Sequence, residues 1–125
     1  MREMKKGSLG MLLLHLLHER PSYGYELCVR LRERSEGTLT FEDAAIYPLL
    51  HDFERRGLLE GYWETGAAAS EAETTPEERK GPRRRYYRVT PAGRAALRAS
   101  IEEWRAFAQG VSRILDDASA RLATD

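Results

Sequence analysis

The chain is poor in the features that mark secreted, membrane-bound or disulfide-linked proteins. Its one cysteine, Cys28, cannot form a disulfide within the chain, which is typical of a protein kept in a reducing compartment. No apolar run approaches the roughly 20 residues that a membrane-spanning helix needs. The charged start of the chain precedes an apolar stretch without a small-residue cleavage signature. We therefore expect a soluble, cytoplasmic protein with no membrane partner.

The formal net charge of the chain is zero, because 20 Lys and Arg residues balance 20 Asp and Glu residues. The bulk charge thus gives no sign of nucleic-acid binding, and any such signal must be local. One segment carries it: residues 79–88 hold six Arg or Lys and no acid, directly after four glutamates in residues 71–78. At 125 residues the chain is long enough for one domain with a modest core.

Few residues could support catalysis or bind a metal. His15 and His18 lie three apart with Glu19 beside them, a spacing that can hold a metal ion. No fourth ligand is in sight, so solvated histidines are the simpler interpretation. The sequence also has no glycine-rich phosphate loop and no Cys/His ligand set. We therefore predict neither an enzyme nor a cofactor or metal site.

A first helix is predicted by leucines that recur at i, i+3, i+4, i+7 and i+8. Ser8 is a plausible N-cap, and Pro21 ends the helix because the residue before a proline avoids helical geometry. The apolar residues cover more than one face, which favours contact with a second surface such as another subunit. The repeating residues are Leu9, Leu12, Leu13, Leu16 and Leu17.

A second helix is predicted from Tyr23 to Arg34, with Ser22 as its cap. Arg30 is assigned to the solvent-facing side of this helix and Cys28 to the apolar side. A lone cysteine on an apolar face is more often a packing residue than a redox sensor. The alternating residues 38–41 favour a short strand that would close a small sheet.

A third helix is predicted over residues 43–56, and its two faces differ in character. The opposite side from the core carries small, rigid or polar residues that are free to meet a partner. Pro48 favours a bend that sets the angle of the N-terminal end, although a tolerated irregularity is an equal interpretation. Gly57 ends the helix. The apolar face repeats at i, i+4 and i+7 and consists of Ile46, Leu50 and Phe53.

The third helix leads into two strand-like segments, which is the layout of a winged helix-turn-helix. Residues 58–63 form the first strand, residues 65–82 a polar loop predicted to be mobile, and the basic residues 83–90 the second strand. In this layout the helix fits a DNA major groove and the hairpin forms a wing beside it. Alternatively, the arginines protect an exposed sheet edge from aggregation.

A long last helix is predicted after Thr90 and Pro91, a cap followed by proline at the first helical position. Its apolar residues step alternately by four and three, which is typical of a coiled-coil seam. We predict a mainly α fold with a small β-hairpin, a winged helix-turn-helix domain over residues 1–90 and a dimerisation helix over residues 91–125. The predicted dimer contacts are Leu97, Ile101, Trp104, Val111 and Leu115.

Five motifs follow one another along the chain: KGSL (Lys6–Leu9), YGYEL (Tyr23–Leu27), IYPLL (Ile46–Leu50), ERRGL (Glu54–Leu58) and RRYYRVTPAG (Arg84–Gly93). Together they make the chain resemble the PadR family of transcriptional regulators over roughly residues 5–115. The single terminal helix resembles the short PadR subfamily. The resemblance implies a winged-helix homodimer that represses promoters by binding operator DNA and is released by a small ligand or another signal.

The helix face, the basic strand and the resemblance together define the candidate site residues. The resemblance implies that paired tryptophans at Trp104 stack flat aromatic compounds in a pore at the dimer interface, with packing as the alternative role of Trp104. The candidate residues for a small aromatic or hydrophobic effector are Leu9, Leu13, Trp104 and Phe107. The candidate DNA contacts are Ala45, Tyr47, Pro48, His51, Arg55, Lys80, Arg83, Arg84 and Arg85.

Two features depart from the family pattern. The loop between the wing strands is longer and more acidic than usual, and the third helix carries four acidic residues that weaken its attraction for phosphate. A second hypothesis therefore stays open, a winged-helix module that uses its acidic helix to bind a basic protein partner. The four acidic residues are Glu42, Asp43, Asp52 and Glu54.

Overall fold

The computed structural model describes residues 2–64 and 83–124, with side chains at residues 8–64, 83–116 and 121–123. Lys80 and the predicted loop of residues 65–82 lie outside the described residues. The fold is mainly helical with a small antiparallel sheet, as predicted. Its elements are α1 (Arg2–Glu19), β1 (Ser22–Tyr23), α2 (Gly24–Arg34), α3 (Asp43–Arg55), β2 (Leu59–Trp63), β3 (Arg85–Val89) and α4 (Pro91–Thr124).

The core lies where α1 meets the other helices and the inner face of the sheet. Four leucines of the α1 repeat, Leu9, Leu13, Leu16 and Leu17, are buried in it together with Leu14. The i, i+3, i+4 spacing places the repeat on adjoining faces of one helix. Tyr87 of β3 closes the core from the sheet side. The most deeply buried side chains are Leu13, Leu27, Ile46, Leu50 and Tyr87.

The sheet has three strands in the order β1-β3-β2, all antiparallel. The third strand is Ser22–Tyr23, and the prediction of a strand at residues 38–41 is wrong. Those residues follow a turn in which Ser35 Oγ accepts the amide of Leu39 at 2.9 Å. Ser22 is buried and extended and pairs with Tyr87 instead.

Two expectations for α2 also need correction. Ser22 does not cap the helix, since the N-cap is Tyr23 and it makes no side-chain cap hydrogen bond. Arg30, assigned to the solvent side, is only 9% exposed. Its guanidinium donates to Ser22 Oγ at 2.8 Å and to Glu19 Oε1 at 3.1 Å. The buried charge is therefore paired and hydrogen-bonded, as burial requires.

The third helix continues through Pro48 and ends before Gly57, whose φ of 76° is the left-handed geometry expected of a helix stop. The bend at Pro48 stays a prediction. Three side chains of the helix face the core as predicted: Ile46, Leu50 and Phe53.

The last helix extends 34 residues, or about 51 Å at 1.5 Å per residue. Thr90 caps it as predicted, because its Oγ1 accepts the amide of Gly93 at 3.0 Å. Leu97 packs in the core and Ile101 is partly buried against it, whereas Phe107, Val111, Ile114 and Leu115 are exposed in the single chain. None of the described helices combines the length and apolarity that crossing a bilayer demands.

Candidate nucleic-acid interface and apolar groove

The outward face of α3 presents Ala45, Pro48, His51 and Arg55, all exposed. They lie opposite the buried residues of the same helix, so these four candidate contacts share one exposed face. Tyr47 is different. Its ring lies over Gly24, where a Cβ atom would come within 2.6 Å of Tyr47 Cζ. Partial burial, with the nearby charge of Asp43, raises the pKa of Tyr47. This ring therefore packs α3 on α2 as well as facing outward.

Asp52 lies beside Arg55 on this face and binds two arginines. Its Oδ1 accepts from Arg55 Nη2 at 3.0 Å, and its Oδ2 accepts from Arg56 Nη1 at 3.3 Å. These hydrogen bonds, that of Arg55 first, lower the pKa of Asp52. The carboxylate is therefore charged at neutral pH and partly neutralises both arginines.

The wing arginines have unequal roles. Arg85, a predicted DNA contact, is half-buried and donates to Glu54 Oε2 at 2.7 Å, which joins the wing to α3. Gly61 makes room for this ion pair, because a Cβ there would lie 2.7 Å from Glu54 Oε2 and 2.8 Å from Arg85 Nη2. This ion pair leaves the Arg85 guanidinium less available to a partner than an unpaired arginine would be. The ring of Trp63 lies 5.1 Å from its guanidinium.

Arg83 and Arg84 are exposed and more available to a partner. Arg84 lies 4.7 Å from the ring centroid of Tyr23 and only 3.8 Å from Glu64 Oε1, a loose ion pair. Arg83 lies 5.9 Å from the ring centroid of Trp63 and pairs with no carboxylate among the described side chains. These two arginines are therefore the better candidates for phosphate contacts.

Sequence reasoning missed a tyrosine row on the outer face of the sheet. Tyr86 stacks on Tyr62 at 5.9 Å and meets the edge of Tyr23 at 5.4 Å. The three lie in register across the three strands. On the same face Arg88 lies 4.7 Å from the ring of Tyr62 and pairs with Glu60 at 2.8 Å. Tyr23 joins the row through the pairing of β1 with β3, and no local sequence pattern predicts that pairing.

Cys28 donates its thiol hydrogen to Asp43 Oδ1 at 3.1 Å. Burial first, and this hydrogen bond second, raise the pKa of Cys28 to about 12. A thiol with so high a pKa stays protonated at neutral pH and is a poor nucleophile. The packing role is therefore favoured over the redox sensor.

The histidine pair of α1 gains no metal-binding partners. His15 Nε2 lies 3.7 Å from Glu19, but that carboxylate is already bound by Arg30 and Arg34. Within residues 2–64 and 83–124 no group of three or more His, Cys, Asp or Glu could hold a metal ion.

An apolar groove of about 560 Å³ runs between α1 and α4. Trp104 and Phe107 line it, as the effector hypothesis expects, with ring centroids 6.1 Å apart. Leu9 and Leu13, both buried in the core, are not among its lining residues. On α1, Met11 and Leu14 line the groove instead. Other side chains that line the groove include Phe53, Arg56 and Glu103.

The predicted dimer contacts also fall into two groups. Leu97 is buried and Ile101 partly buried against the core of the same chain, so neither is freely available. The other three are exposed, Trp104 at 39%, Val111 at 37% and Leu115 at 52%. Phe107 and Ile114 extend this apolar face.

Comparisons with known proteins agree on one family. The model of the PadR-like transcriptional regulator family matches residues 13–99. A solved transcriptional regulator from Clostridium thermocellum is 25% identical with a TM-score of 0.75, over 90% of this chain and 95% of that chain.

Two further solved structures carry the family name. A PadR family regulator from Eggerthella lenta is 32% identical with a TM-score of 0.70, over 90% of this chain and 86% of that chain. A PadR-like regulator from Bacillus cereus is 26% identical with a TM-score of 0.69, over 90% and 96% respectively. The chain therefore belongs to the PadR-like family of transcriptional regulators, which are DNA-binding regulators and not enzymes.

Proposed function

We propose that the protein is a homodimeric repressor whose α3 enters the major groove of operator DNA and whose wing contacts the adjacent phosphates. This proposal depends on one observation, that the exposed face of α3 and the basic wing are linked directly to each other. The exposed face of α3 is fixed to the basic wing by the Glu54–Arg85 ion pair at 2.7 Å. Groove and phosphate contacts are thus held in one unit, as a winged helix requires. Because its relatives are bacterial regulators, we place its action in the cytoplasm.

Dimerisation is proposed through α4, with residues 1–90 as the DNA-binding unit and residues 91–125 as the dimerisation helix. The first turns of that helix also complete the core of its own chain through Leu97. Beyond them, large apolar side chains are uncovered, and Ile114 is 75% exposed. A contiguous apolar stripe at coiled-coil spacing is best covered by the same stripe of a second chain.

Effector release is proposed through the α1–α4 groove. Phe53, on the recognition helix, and Arg56, at its C-cap, both line the groove. A compound bound there would therefore touch the DNA-reading helix directly. It would release DNA if it bound more tightly to a dimer whose two α3 helices are spaced incorrectly for the operator. The lining carries one cation, Arg56, and one anion, Glu103. Because Glu103 is the chain neighbour of Trp104, we propose an aromatic cation as the compound stacked on that ring.

The rival function, a module that binds a basic protein partner, has less support. It requires free carboxylates on α3, but Asp52 is bound by two arginines and Glu54 by Arg85. Two of the four acidic residues of this surface are thus paired within the chain. Strong salt dependence on duplex DNA separates the two functions, since it reports counterion release from phosphates.

The wing assignment predicts different effects for neighbouring arginines. Replacing Arg83 with Gln should remove one phosphate contact and lower the slope of log K against log salt by about 0.9. The double change Glu54→Gln with Arg85→Gln should lower affinity, because the wing loses its anchor, yet leave the slope unchanged. Fluorescence anisotropy over a salt series measures both, using a duplex that the wild-type protein selects from a random library.

The double variant is a matched control because it keeps the net charge of the chain. If Arg83→Gln leaves the slope unaltered while the Glu54/Arg85 double variant lowers it, the two arginines have been assigned the wrong way round. Loss of salt dependence in the wild type would instead favour the protein-partner function.

The effector assignment predicts binding at Trp104. In a Trp63→Phe background, where Trp104 is the one remaining tryptophan, a planar aromatic cation such as ethidium should quench fluorescence saturably. Stacking contributes roughly 0.5–1.5 kcal/mol per ring beyond area burial. Isothermal titration should show that Trp104→Ala abolishes binding, and sedimentation should show that its dimer persists. Dissociation of the Trp104→Ala dimer, with no quenching of the parent protein, would identify Trp104 as a packing residue.

A further inference from the structure

The most heavily shared acceptor on the outward face of α3 is Asp52. Each of its two carboxylate oxygens receives one guanidinium hydrogen bond, from Arg55 at 3.0 Å and from Arg56 at 3.3 Å. Both arginines are well exposed, with side-chain exposures of 78% and 58%, so the pairs form at the surface and not in the core. The carboxylate itself is 39% exposed and lies one helical turn beyond Pro48.

This arrangement places an anion where a DNA-reading helix is expected to present cations. Arg55 and Arg56 are the two basic residues at the C-terminal end of α3, and each gives one guanidinium hydrogen bond to Asp52. The carboxylate thereby offsets part of their positive charge and competes with any phosphate for these donors. Phosphate contacts contribute nearly the same free energy on every DNA sequence, whereas contacts to base edges distinguish sequences. A carboxylate that competes for these arginines therefore weakens the contribution that carries no sequence information.

We propose that Asp52 is a specificity-determining residue, which competes with DNA phosphate for Arg55 and Arg56 and so lowers the affinity for non-operator DNA. On the operator, base contacts hold α3 in one position, and Asp52 keeps both guanidinium groups oriented there. On the operator, replacing Asp52 would therefore lose about as much binding free energy from the disordered guanidinium groups as it gains from their released charge. The inference rests on the proposed function, since it requires α3 to be the DNA-reading helix.

The wing supports this distinction. Arg83 pairs with no carboxylate among the described side chains, and Arg84 pairs only loosely with Glu64, at 3.8 Å. These two wing arginines are thus left more available than Arg55 and Arg56. The other wing arginines are paired, Arg85 with Glu54 at 2.7 Å and Arg88 with Glu60 at 2.8 Å. The contrast is therefore between two pairs of arginines and not between the whole wing and α3.

The test compares Asp52→Asn with Glu60→Gln. Both remove one exposed negative charge that is bound to arginine, but Glu60 pairs with Arg88 at 2.8 Å on the outer face of the sheet, away from α3. Anisotropy titrations over a salt series use a random-sequence duplex and, beside it, the duplex that the wild-type protein selects from a library. Circular dichroism confirms that each variant is folded.

For Asp52→Asn we expect about threefold to tenfold tighter binding to random DNA, from the strength of two exposed ion pairs. The salt slope should steepen by about 0.9 for each arginine released. Operator affinity should change less than about twofold, so that the specificity ratio falls. Adding Arg55→Ala to Asp52→Asn should remove most of the gain on random DNA.

Two results would overturn the inference alone: an unchanged random-DNA affinity for Asp52→Asn, or an equal gain for Glu60→Gln, which would reduce the effect to net charge. Failure of the wild-type protein to select any duplex is a different outcome. It would overturn the proposed function and this inference together.

Discussion

A variant carrying Val111→Asp and Leu115→Asp is expected to sediment as a monomer at concentrations where the wild-type protein is a dimer. Both side chains are exposed in the single chain, at 37% and 52%, so the changes should leave its core intact. In a dimer formed through α4, the same positions would be covered. Four unpaired carboxylates per dimer would then be buried, at about 1–3 kcal/mol each. Dimer affinity should therefore fall by at least about a thousandfold.

The matched control is a variant with Ala106→Asp and Gln109→Asp. It adds the same two negative charges to exposed positions on the opposite face of α4. This variant should remain a dimer. Sedimentation velocity over a range of protein concentrations measures both variants. If the control dissociates as fully as the test variant, general charge repulsion is the cause and the α4 interface is misplaced.

The parts of the fold that sequence predicted well are those set by local chemistry. The leucine repeat of α1, the stop at Gly57 and the Thr90 cap each depend on residues within a few positions of one another. A helix cap needs only a hydroxyl three residues before an amide, which is the observed Thr90–Gly93 bond at 3.0 Å. Such features appear in the sequence because their causes are short-range.

The strand at Ser22 shows where this reasoning stops. A two-residue strand is too short to show an alternating apolar pattern. Residues 38–41 do alternate and therefore predict a strand. What holds Ser22 in the sheet is its pairing with Tyr87, 65 residues away in the chain, and the hydrogen bond from Arg30. Neither partner can be read from the local pattern. The tertiary contact prevailed over the alternation.

Apolar patterning also could not separate two kinds of burial. Leu9, Leu13 and Leu97 follow the same helical spacing as Val111 and Leu115. The first three are enclosed in their own chain, and the last two are exposed. A period identifies which side of a helix is apolar, but not whether that side meets the same chain, a second chain or a ligand.

The sequence shows how many charged residues the candidate site has, but not which arginine binds which carboxylate. The acidic residues of α3 suggested a weak attraction for DNA, without revealing which arginines they bind. Glu54 and Arg85 are separated by 31 positions. Arg85 therefore looked equivalent to Arg83 in the sequence, although the folded chain holds it against Glu54 and leaves Arg83 exposed.

The approach of α4 to the start of β2 makes Gly93→Ala the most destabilising single change that we expect. A Cβ at this position would lie 2.1 Å from the carbonyl oxygen of Leu58 and 2.8 Å from Val89 Cγ1. The Leu58 oxygen also accepts the amide of Thr90 at 3.1 Å, so it cannot retreat without breaking that bond. Backbone would have to shift in both elements. We expect a loss of about 2–4 kcal/mol, at or above the usual cost of overpacking.

Gly110→Ala is the matched control, because it makes the same substitution in the same helix where nothing lies within 4 Å of the new Cβ. Here only helix propensity acts, and alanine should stabilise the chain by up to about 1 kcal/mol. Thermal unfolding at one fixed protein concentration should therefore move in opposite directions, down by roughly 8–16 °C for Gly93→Ala and up by a few degrees for Gly110→Ala. An unchanged melting temperature for Gly93→Ala would mean that α4 does not approach Leu58 this closely. The wing, which begins at β2, would then be positioned against the helices by some other contact.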